Sequence, residues 1–267
     1  MADERSAASA IIRRMPAPLS DLLDQLRACR WVDLTHAFAP GIPHYAGFPD
    51  EQRTVLYHFD EGVGTMGAGF LAHEYRHVGQ WGTHCDPPAH FARDGRTQDQ
   101  IGVEEMILPL VVLDLRAAAA AEADLSVGVE HVRAHEAEHG AIPAGCFVAA
   151  SFGWGARWPD GDAMAGRDAD GIAHFPGWGV EALRLLVEER GATAIGHDVT
   201  DTDPGALVSI GQVPAETYIL GADRWQLELM ANLDAVPPRG ALIVATWPKP
   251  LGGTGFPARA FAIVPDA

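Results

Sequence analysis

The chain has 267 residues, a formal net charge of −17 at pH 7, and hydrophobic and charged fractions of 48% and 21%. This composition is typical of a globular protein, and the length allows one large domain with a sizeable core. The acidic excess argues against nucleic acid and anionic membranes as partners, because both bind basic surfaces.

The cysteine content and the lack of long apolar segments bear on the cellular compartment of the protein. Cys29, Cys85 and Cys146 are far apart, odd in number and without a CxxC pair, which argues against a disulfide framework. Residues 1–20 are too charged to contain the apolar core of a signal peptide. The longest apolar run, 106–113, is too short to span a bilayer. We therefore expect a soluble, cytoplasmic protein.

The first elements in chain order are an arm, a helix and two strands. Residues 1–30 predict an N-terminal arm and a short helix with Ser20 as its cap, and residues 31–267 predict a single domain. Segment 31–38 alternates in polarity and predicts a strand. The near-continuous apolar run 106–115 predicts a strand that is buried on both faces.

The second half of the chain alternates between helix and strand patterns. A helix is predicted over 127–140, with Ser126 as N-cap, and another over 176–191. Further strands are predicted at 146–153, 192–198, 241–247 and 258–264. The sequence therefore predicts the α/β class, as a single compact domain with a mixed β-sheet core and flanking helices.

Segment 73–95 concentrates histidines, acidic residues and a pair of prolines. If its middle part, 80–86, is extended, one face carries an amide, a gap, an imidazole and a carboxylate, namely Gln80, Gly82, His84 and Asp86. Pro87 and Pro88 stiffen the chain and determine where His90 returns. A metal site and a polar loop with hydrogen-bonded histidines both fit this pattern.

Two other segments could complete a coordination shell. Glu216 and Glu228 lie twelve residues apart in a largely apolar stretch. A buried carboxylate requires a cation, whereas a carboxylate on a helix surface does not, and the sequence leaves both alternatives open. Segment 197–203 carries a histidine and three aspartates. Turns and caps explain most of such a loop, with direct ligation as the lesser alternative.

The segment "HEYRH" at 73–77 matches the HExxH pattern of zinc proteases. That chemistry requires a helix, and the nearby glycines together with Arg76 favour a strand instead. A metalloprotease is therefore only a minor alternative. His73 and His77 could still line a substrate pocket or replace a missing metal ligand.

The segment "QWGTHCDPPAHF" resembles the HxGTHxDxPxHF signature of the cyclase-like metal-dependent hydrolases, which include kynurenine formamidase and isatin hydrolase. Gln80 occupies the position of the first histidine. The resemblance extends over about residues 31–264. It implies a compact α/β fold of the cyclase, swivelling β/β/α type, a homo-oligomer (dimer or tetramer), and one or two bound metal ions.

By position, the resemblance implies five metal ligands and one catalytic acid/base. The ligands would be Gln80, His84, Asp86, Glu216 and Glu228, and His90 would carry the proton. Gln80 and Glu216 replace histidines of the formamidase pattern, so oxygen donors dominate the set. Such a set suits Mn²⁺ or Mg²⁺ better than Zn²⁺, although Zn²⁺ stays open.

The resemblance also implies a hydrolase acting on a small molecule. We expect cleavage of an amide, cyclic amide or lactone by metal-activated water, since the sequence lacks a GxSxG serine elbow. Trp81, Phe91 and Trp154 could form an aromatic wall for an aryl or cyclic substrate. The alternative is a non-catalytic member of the fold that binds a metal or a small ligand.

Overall fold

The computed structural model describes residues 18–59 and 69–265. The strands of this part are β1 (Arg30–Asp33), β2 (Gln52–Tyr57), β3 (Ala72–Arg76), β4 (His84–Asp86), β5 (Ile107–Asp114), β6 (Ser126–Val127), β7 (Phe147–Ser151), β8 (Gly177–Trp178), β9 (Ala194–His197), β10 (Trp225–Glu228), β11 (Ala241–Thr246), β12 (Phe256–Pro257) and β13 (Arg259–Val264). The predicted arm falls largely on residues 1–17, which lie outside the described residues.

The helices are short and lie between the strands. They are α1 (Leu19–Ala28), α2 (Arg116–Ala121), α3 (Val129–His139), α4 (Gly161–Ala165), α5 (Val180–Arg184), α6 (Gly205–Ser209) and α7 (Pro214–Gly221). A π-helical turn, Leu185–Glu189, continues α5. Within the described ranges, no helix is long and apolar enough to cross a membrane.

A nine-stranded mixed sheet forms the centre of the domain. Its strand order is β1-β13-β11-β5-β7-β9-β10-β4-β12. The strands β5, β7, β9 and β10 run parallel to one another, and the strands on either side of them pair antiparallel. This architecture confirms the predicted single α/β domain with a mixed sheet.

Apolar side chains cover both faces of the central strands. On β5, Val111 and Leu113 belong to one buried cluster, which includes residues of α3, α5 and α7. Leu110 and Val112 belong to a second cluster on the opposite face. The prediction that this strand is buried on both faces is confirmed. Each fully buried aliphatic side chain of this kind contributes about 1.5–3 kcal/mol of burial free energy.

Three predicted helix starts are wrong in detail. Helix α1 begins at Leu19, so Ser20 lies inside it rather than at its cap. Helix α3 begins after Gly128, because Ser126 pairs in the short parallel ladder between β6 and β8. The same ladder includes Gly177 and Trp178, which delays the start of α5 to Val180. At the two helices next to the ladder, tertiary pairing outweighs the local start signal.

The segment at 73–77 forms strand β3, which pairs antiparallel with β2 in a separate two-stranded sheet. The strand prediction is confirmed, and the helical geometry that a zinc protease requires is absent from this segment. The prediction of an extended 80–86 is wrong in part. Gly82 has a left-handed φ of 63°, and only His84–Asp86 forms a strand.

Candidate active site

Strands β4 and β10 bring three potential metal ligands together. In the antiparallel register, Glu228 pairs with His84 and Gln226 pairs with Asp86. Alternation along each strand places these four side chains on one face of the sheet. His84, Asp86 and Glu228 are buried, and one ligand atom of each lies within 4.8 Å of the other two. Residues 144 positions apart in sequence therefore share one centre.

The imidazole of His84 is oriented like that of a metal ligand. Its Nδ1 donates a hydrogen bond to the carbonyl of Gly82 at 2.8 Å, so in the neutral ring Nε2 has its lone pair free for a cation. Nε2 lies 3.3 Å from Asp86 Oδ2 and 3.5 Å from Glu228 Oε2. This atom is buried and lacks a hydrogen-bond partner among the residues that the structure describes. An orphaned nitrogen between two carboxylates fits a cation.

The electrostatics of the cluster also favour positive charge. Burial alone would lower the pKa of His84, but Asp86 and Glu228 outweigh it and raise that pKa to about 9. Burial opposes ionisation of Asp86, yet the neighbouring His84 lowers the pKa of that carboxyl to about 2. Burial, reinforced by neighbouring carboxylates, raises the pKa of Glu216 and of Glu228 well above the usual range. Without a cation, His84, Glu216 and Glu228 therefore tend to stay protonated, and these protons offset the negative charge of the cluster.

Gln226 is a site residue that the sequence analysis missed. Its amide nitrogen lies 3.1–3.3 Å from Asp86, Glu216 and Glu228, while its oxygen accepts a hydrogen bond from the Thr202 hydroxyl at 2.7 Å. A fully buried amide thus links the carboxylates of the cluster. The available signal was its position two residues before Glu228 on a strand, which places both side chains on the same face.

Gln80 lies beside the cluster but presents its amide nitrogen. Nε2 donates to Thr254 O at 2.7 Å and to Asp86 Oδ1 at 3.1 Å, which uses its two hydrogens. His90 Nδ1 lies 3.4 Å from the same nitrogen. A Cβ added at Gly255 would collide with this amide, so the glycine-rich loop packs closely on Gln80. In this arrangement the Gln80 amide contacts Asp86, and ligation by Gln80 stays a prediction.

Glu216 and His90 complete the polar side of the site. Glu216, on α7, lies next to the three close ligands and accepts a hydrogen bond from Gln226 at 3.2 Å. His90 lies in a 3₁₀ turn, Pro88–His90, immediately after the prolines. Its Nε2 is 3.9 Å from Glu216 Oε1, and 24% of its side chain is exposed. His90 is therefore open enough to exchange a proton with a bound molecule.

A cavity of about 300 Å³ opens over the cluster. His84, Asp86, His90, Glu216 and Glu228 line its polar side. Tyr45, Phe48 and Phe91 line it with aromatic rings, and Val208 and Val213 add aliphatic surface. An apolar wall facing a few convergent polar groups is the usual form of a small-molecule site.

Four residues predicted for the pocket lie elsewhere. Trp81 is fully buried and donates from Nε1 to Glu51, and Trp154 is buried in the core with its Nε1 bonded to Met164 O. His73 pairs with Val55 in the two-stranded sheet, and His77 contacts Phe38 and Phe256 beside a different groove. Of the predicted wall, Phe91 lines the cavity.

The acidic residues of the loop after β9, at 198–203, have different contacts. Asp198 accepts hydrogen bonds from backbone amides at 152–155, and Asp203 accepts them from Ala215 and Glu216. These two carboxylates therefore shape the loop and the start of α7. Asp201 lines the cavity, and His197 Nε2 lies 3.4 Å from Glu228. The turn and cap roles predicted for this loop are present at Asp198 and Asp203, and direct ligation by His197 or Asp201 stays a prediction.

Comparisons with known proteins agree with this geometry. The Cyclase family model ("Putative cyclase") matches residues 32–204. Isatin hydrolase of Roseibium aggregatum is 34% identical over 192 residues, 70% of this chain and 72% of that protein. Kynurenine formamidase of Salinibacter ruber is 25% identical over 231 residues, 86% of this chain and 95% of that protein.

A solved structure extends the similarity to the whole fold. Isatin hydrolase A from Ralstonia solanacearum superposes with a TM-score of 0.85 at 32% identity, covering 94% of this chain and 98% of its own. The chain thus combines these matches with three features described above: the signature segment, the mixed sheet and the buried His-Asp-Glu cluster. The chain is a member of the cyclase family of hydrolases.

Proposed function

We propose that this protein is a metal-dependent hydrolase that opens a small cyclic amide, with isatin as the first candidate substrate. The observation that carries the proposal is the orphaned, buried Nε2 of His84 between two carboxylates, beneath a cavity that also contains His90. The similarity to isatin hydrolases favours a fused aromatic lactam over an open amide. A lactone remains a further candidate.

His84, Asp86 and Glu228 would hold a divalent cation, with Glu216 adjacent. One nitrogen and several oxygen donors suit Mn²⁺ or Mg²⁺, and the same donors accept Zn²⁺. When bound, such a cation polarises a carbonyl and makes a water molecule more acidic. Gln226, which approaches all three carboxylates, would keep their oxygens in a fixed arrangement.

The remaining chemistry belongs to the side chains of this chain. In the net reaction, water adds to the lactam carbonyl, the C–N bond breaks, and the nitrogen gains a proton as a carboxylate forms. His90 is the group placed to move that proton, because its partly exposed imidazole borders both the cavity and Glu216. Gln80 holds Asp86 by donating to Oδ1, so it acts as a positioning residue. Tyr45, Phe48 and Phe91 would contact the ring and exclude water from one side.

The test is hydrolysis by the metal-loaded protein. Protein reconstituted separately with Mn²⁺ and with Zn²⁺ is assayed on isatin, N-formylkynurenine and an unsaturated lactone. We expect the fastest turnover with isatin. His90→Ala should keep one equivalent of metal yet lose at least about 100-fold in kcat/KM, the usual range for a general acid/base.

The alternative is a binding module without catalysis. Wild-type protein that holds one metal equivalent but turns over none of the three compounds with either ion would support that alternative. A His90→Ala variant with unchanged kcat/KM would remove His90 from the proposed chemistry. Glu188→Gln on the exposed side of the π-helical turn is a matched control for loss of a polar side chain far from the cavity.

A further inference from the structure

We propose that His44 determines substrate specificity by accepting a hydrogen bond from a substrate N–H. This inference rests on the proposed function of the cavity, and it adds a residue outside the signature segment at 80–91. His44 lies in the loop between β1 and β2, and it lines the same cavity as His84 and His90. The loop therefore contributes a third imidazole to the site, with a task different from the other two.

The hydrogen bonding of His44 defines its chemistry. Its Nδ1 lies 2.7 Å from the carbonyl oxygen of Ile42. A carbonyl only accepts, so Nδ1 carries the proton and Nε2 of the neutral ring holds a lone pair. With Nδ1 bonded to Ile42, Nε2 is the ring nitrogen left to accept a hydrogen bond from a molecule in the cavity. It complements a donor on the substrate, such as the N–H of a lactam.

The ring of His44 packs on a buried, hydrogen-bonded tryptophan. It packs against Trp81 with centroids 4.6 Å apart, and Trp81 is fully buried. The indole N–H of Trp81 donates to Glu51 at 3.1 Å. Asp50 connects the two ends of the loop, because one of its oxygens accepts hydrogen bonds from the backbone amides of Gly41 and Glu51 at 2.8 and 2.9 Å. A fixed acceptor discriminates between ligands better than a mobile one.

Gly82 connects the position of His44 to that of the metal-ligand candidates. A Cβ at Gly82 would meet Phe38 Cβ at 2.9 Å and the Ile42 side chain at 3.6 Å. The absent side chain therefore allows the loop to pack on the signature segment. The carbonyl of the same glycine orients His84. Gly82 thus contacts the loop that carries His44 and also orients His84 through its carbonyl.

The other polar groups at the cavity have different tasks in the proposed reaction. The carboxylates of Asp86, Glu216 and Glu228 surround the cation position, and His90 borders Glu216. His44 has the Ile42 carbonyl and Trp81 as its neighbours instead. A hydrogen bond to a neutral acceptor, lost on N-methylation, changes affinity on the order of tenfold. We therefore expect selectivity for N–H lactams.

The kinetic test compares isatin with N-methylisatin. Wild-type protein should show a kcat/KM ratio of at least about ten in favour of isatin. His44→Phe keeps a ring on Trp81 but removes the acceptor, so this ratio should fall toward one, mainly through a higher KM for isatin. His44→Gln restores an acceptor and should recover part of the ratio. His139→Phe, at the end of α3, replaces a histidine outside the cavity lining and should leave the ratio unchanged.

A binding measurement separates this inference from the proposed function. Quenching of tryptophan fluorescence in the Mn²⁺-loaded protein reports affinity for isatinate, which has an amino group, and for phenylglyoxylate, which lacks one. Wild type should bind isatinate about tenfold more tightly, and His44→Phe should bind both equally. If isatin is not hydrolysed, this result alone decides the role of His44. Equal binding by wild type, or an unchanged preference in both His44 variants, would overturn the inference.

Discussion

Two regions of the central sheet differ in what they bury: β5 and β7 bury apolar side chains, whereas one face of β4 and β10 buries polar and charged ones. On β5 and β7, the buried side chains apart from Ser151 are hydrocarbon or aromatic groups, and their burial provides stability. On β4 and β10, one face carries His84, Asp86, Gln226 and Glu228 in an equally buried position. Burial there costs free energy unless a counter-charge is present. Burial therefore stabilises β5 and β7 directly, whereas the polar face of β4 and β10 requires a compensating charge.

The largest expected effect comes from breaking the charged half while keeping its shape. Glu228→Gln is nearly isosteric and removes one of the three mutually close ligands. We expect a loss of metal and a fall in kcat/KM of at least about 1000-fold, equivalent to about 4 kcal/mol. Kinetics together with metal content of the purified variant measure both. Metal retained at full occupancy with unchanged kcat/KM would contradict the assignment of this ligand.

In the metal-free state, Glu228→Gln should not lower the free energy of unfolding. Burial and the charge of Asp86 raise the pKa of Glu228 well above the usual range. The folded state therefore binds more protons than the unfolded state above pH 4.5, and the wild-type chain loses stability as the pH rises. An amide lacks this penalty. Metal-free Glu228→Gln should thus unfold at an equal or higher urea concentration than metal-free wild type at pH 8.

The apolar half is tested by Leu110→Ala. Leu110 is 1% exposed on β5, between β11 and β7, and belongs to one of the two apolar clusters. Removing its side chain should cost about 2–5 kcal/mol of unfolding free energy through lost burial and a residual cavity. Urea titration measures the loss. The metal content and the kcat of the folded fraction should be unchanged, because Leu110 does not line the cavity and is not one of the three close ligands.

A matched substitution serves as the control for this effect. Val103→Ala removes an aliphatic side chain that is 76% exposed, and it should change the free energy of unfolding by less than about 0.5 kcal/mol. A similar loss for both variants would show that the central strands do not dominate stability. A loss of metal in Leu110→Ala would show that the two halves are coupled.

The same division explains what the sequence could predict. Strands such as Ile107–Asp114 and Phe147–Ser151 were predictable, because long apolar runs indicate burial without further information. The short β6–β8 ladder was not, since two residues on each side pair only when the rest of the fold brings them together. Helix starts next to that ladder were displaced for the same reason.

The site shows a similar limit at the level of side chains. His84, Asp86 and Glu228 were predicted from the signature and from a carboxylate in an apolar stretch, and they lie together. Gln226 was missed because a neutral amide carries no charge signal. The direction of the Gln80 amide depends on Thr254 and Asp86, which sequence spacing does not reveal. Motif membership predicted location, whereas tertiary contacts determined orientation.

The smallest expected effect concerns an ionisable ring buried away from the carboxylate cluster. His36 stacks on Trp158 with centroids 4.3 Å apart, and burial lowers its pKa to about 4 despite the opposing charge of Asp33. The unfolded chain takes up this proton near pH 6.5. Between those values the unfolded state binds more protons, so the free energy of unfolding should fall as the pH falls from 6.5 to 4.

His36→Phe keeps a ring for the stack and removes the proton site. At pH 5 the wild-type chain should have lost at most about 2 kcal/mol through His36, and nearer 1 kcal/mol because part of the ring meets solvent. Urea unfolding of both proteins at pH 7.5 and pH 5 measures the difference. Wild type should lose more stability than His36→Phe over this interval. Equal losses would mean that protonating the half-buried His36 costs no stability, and the cost of burying a charge would then be confined to residues of the cavity.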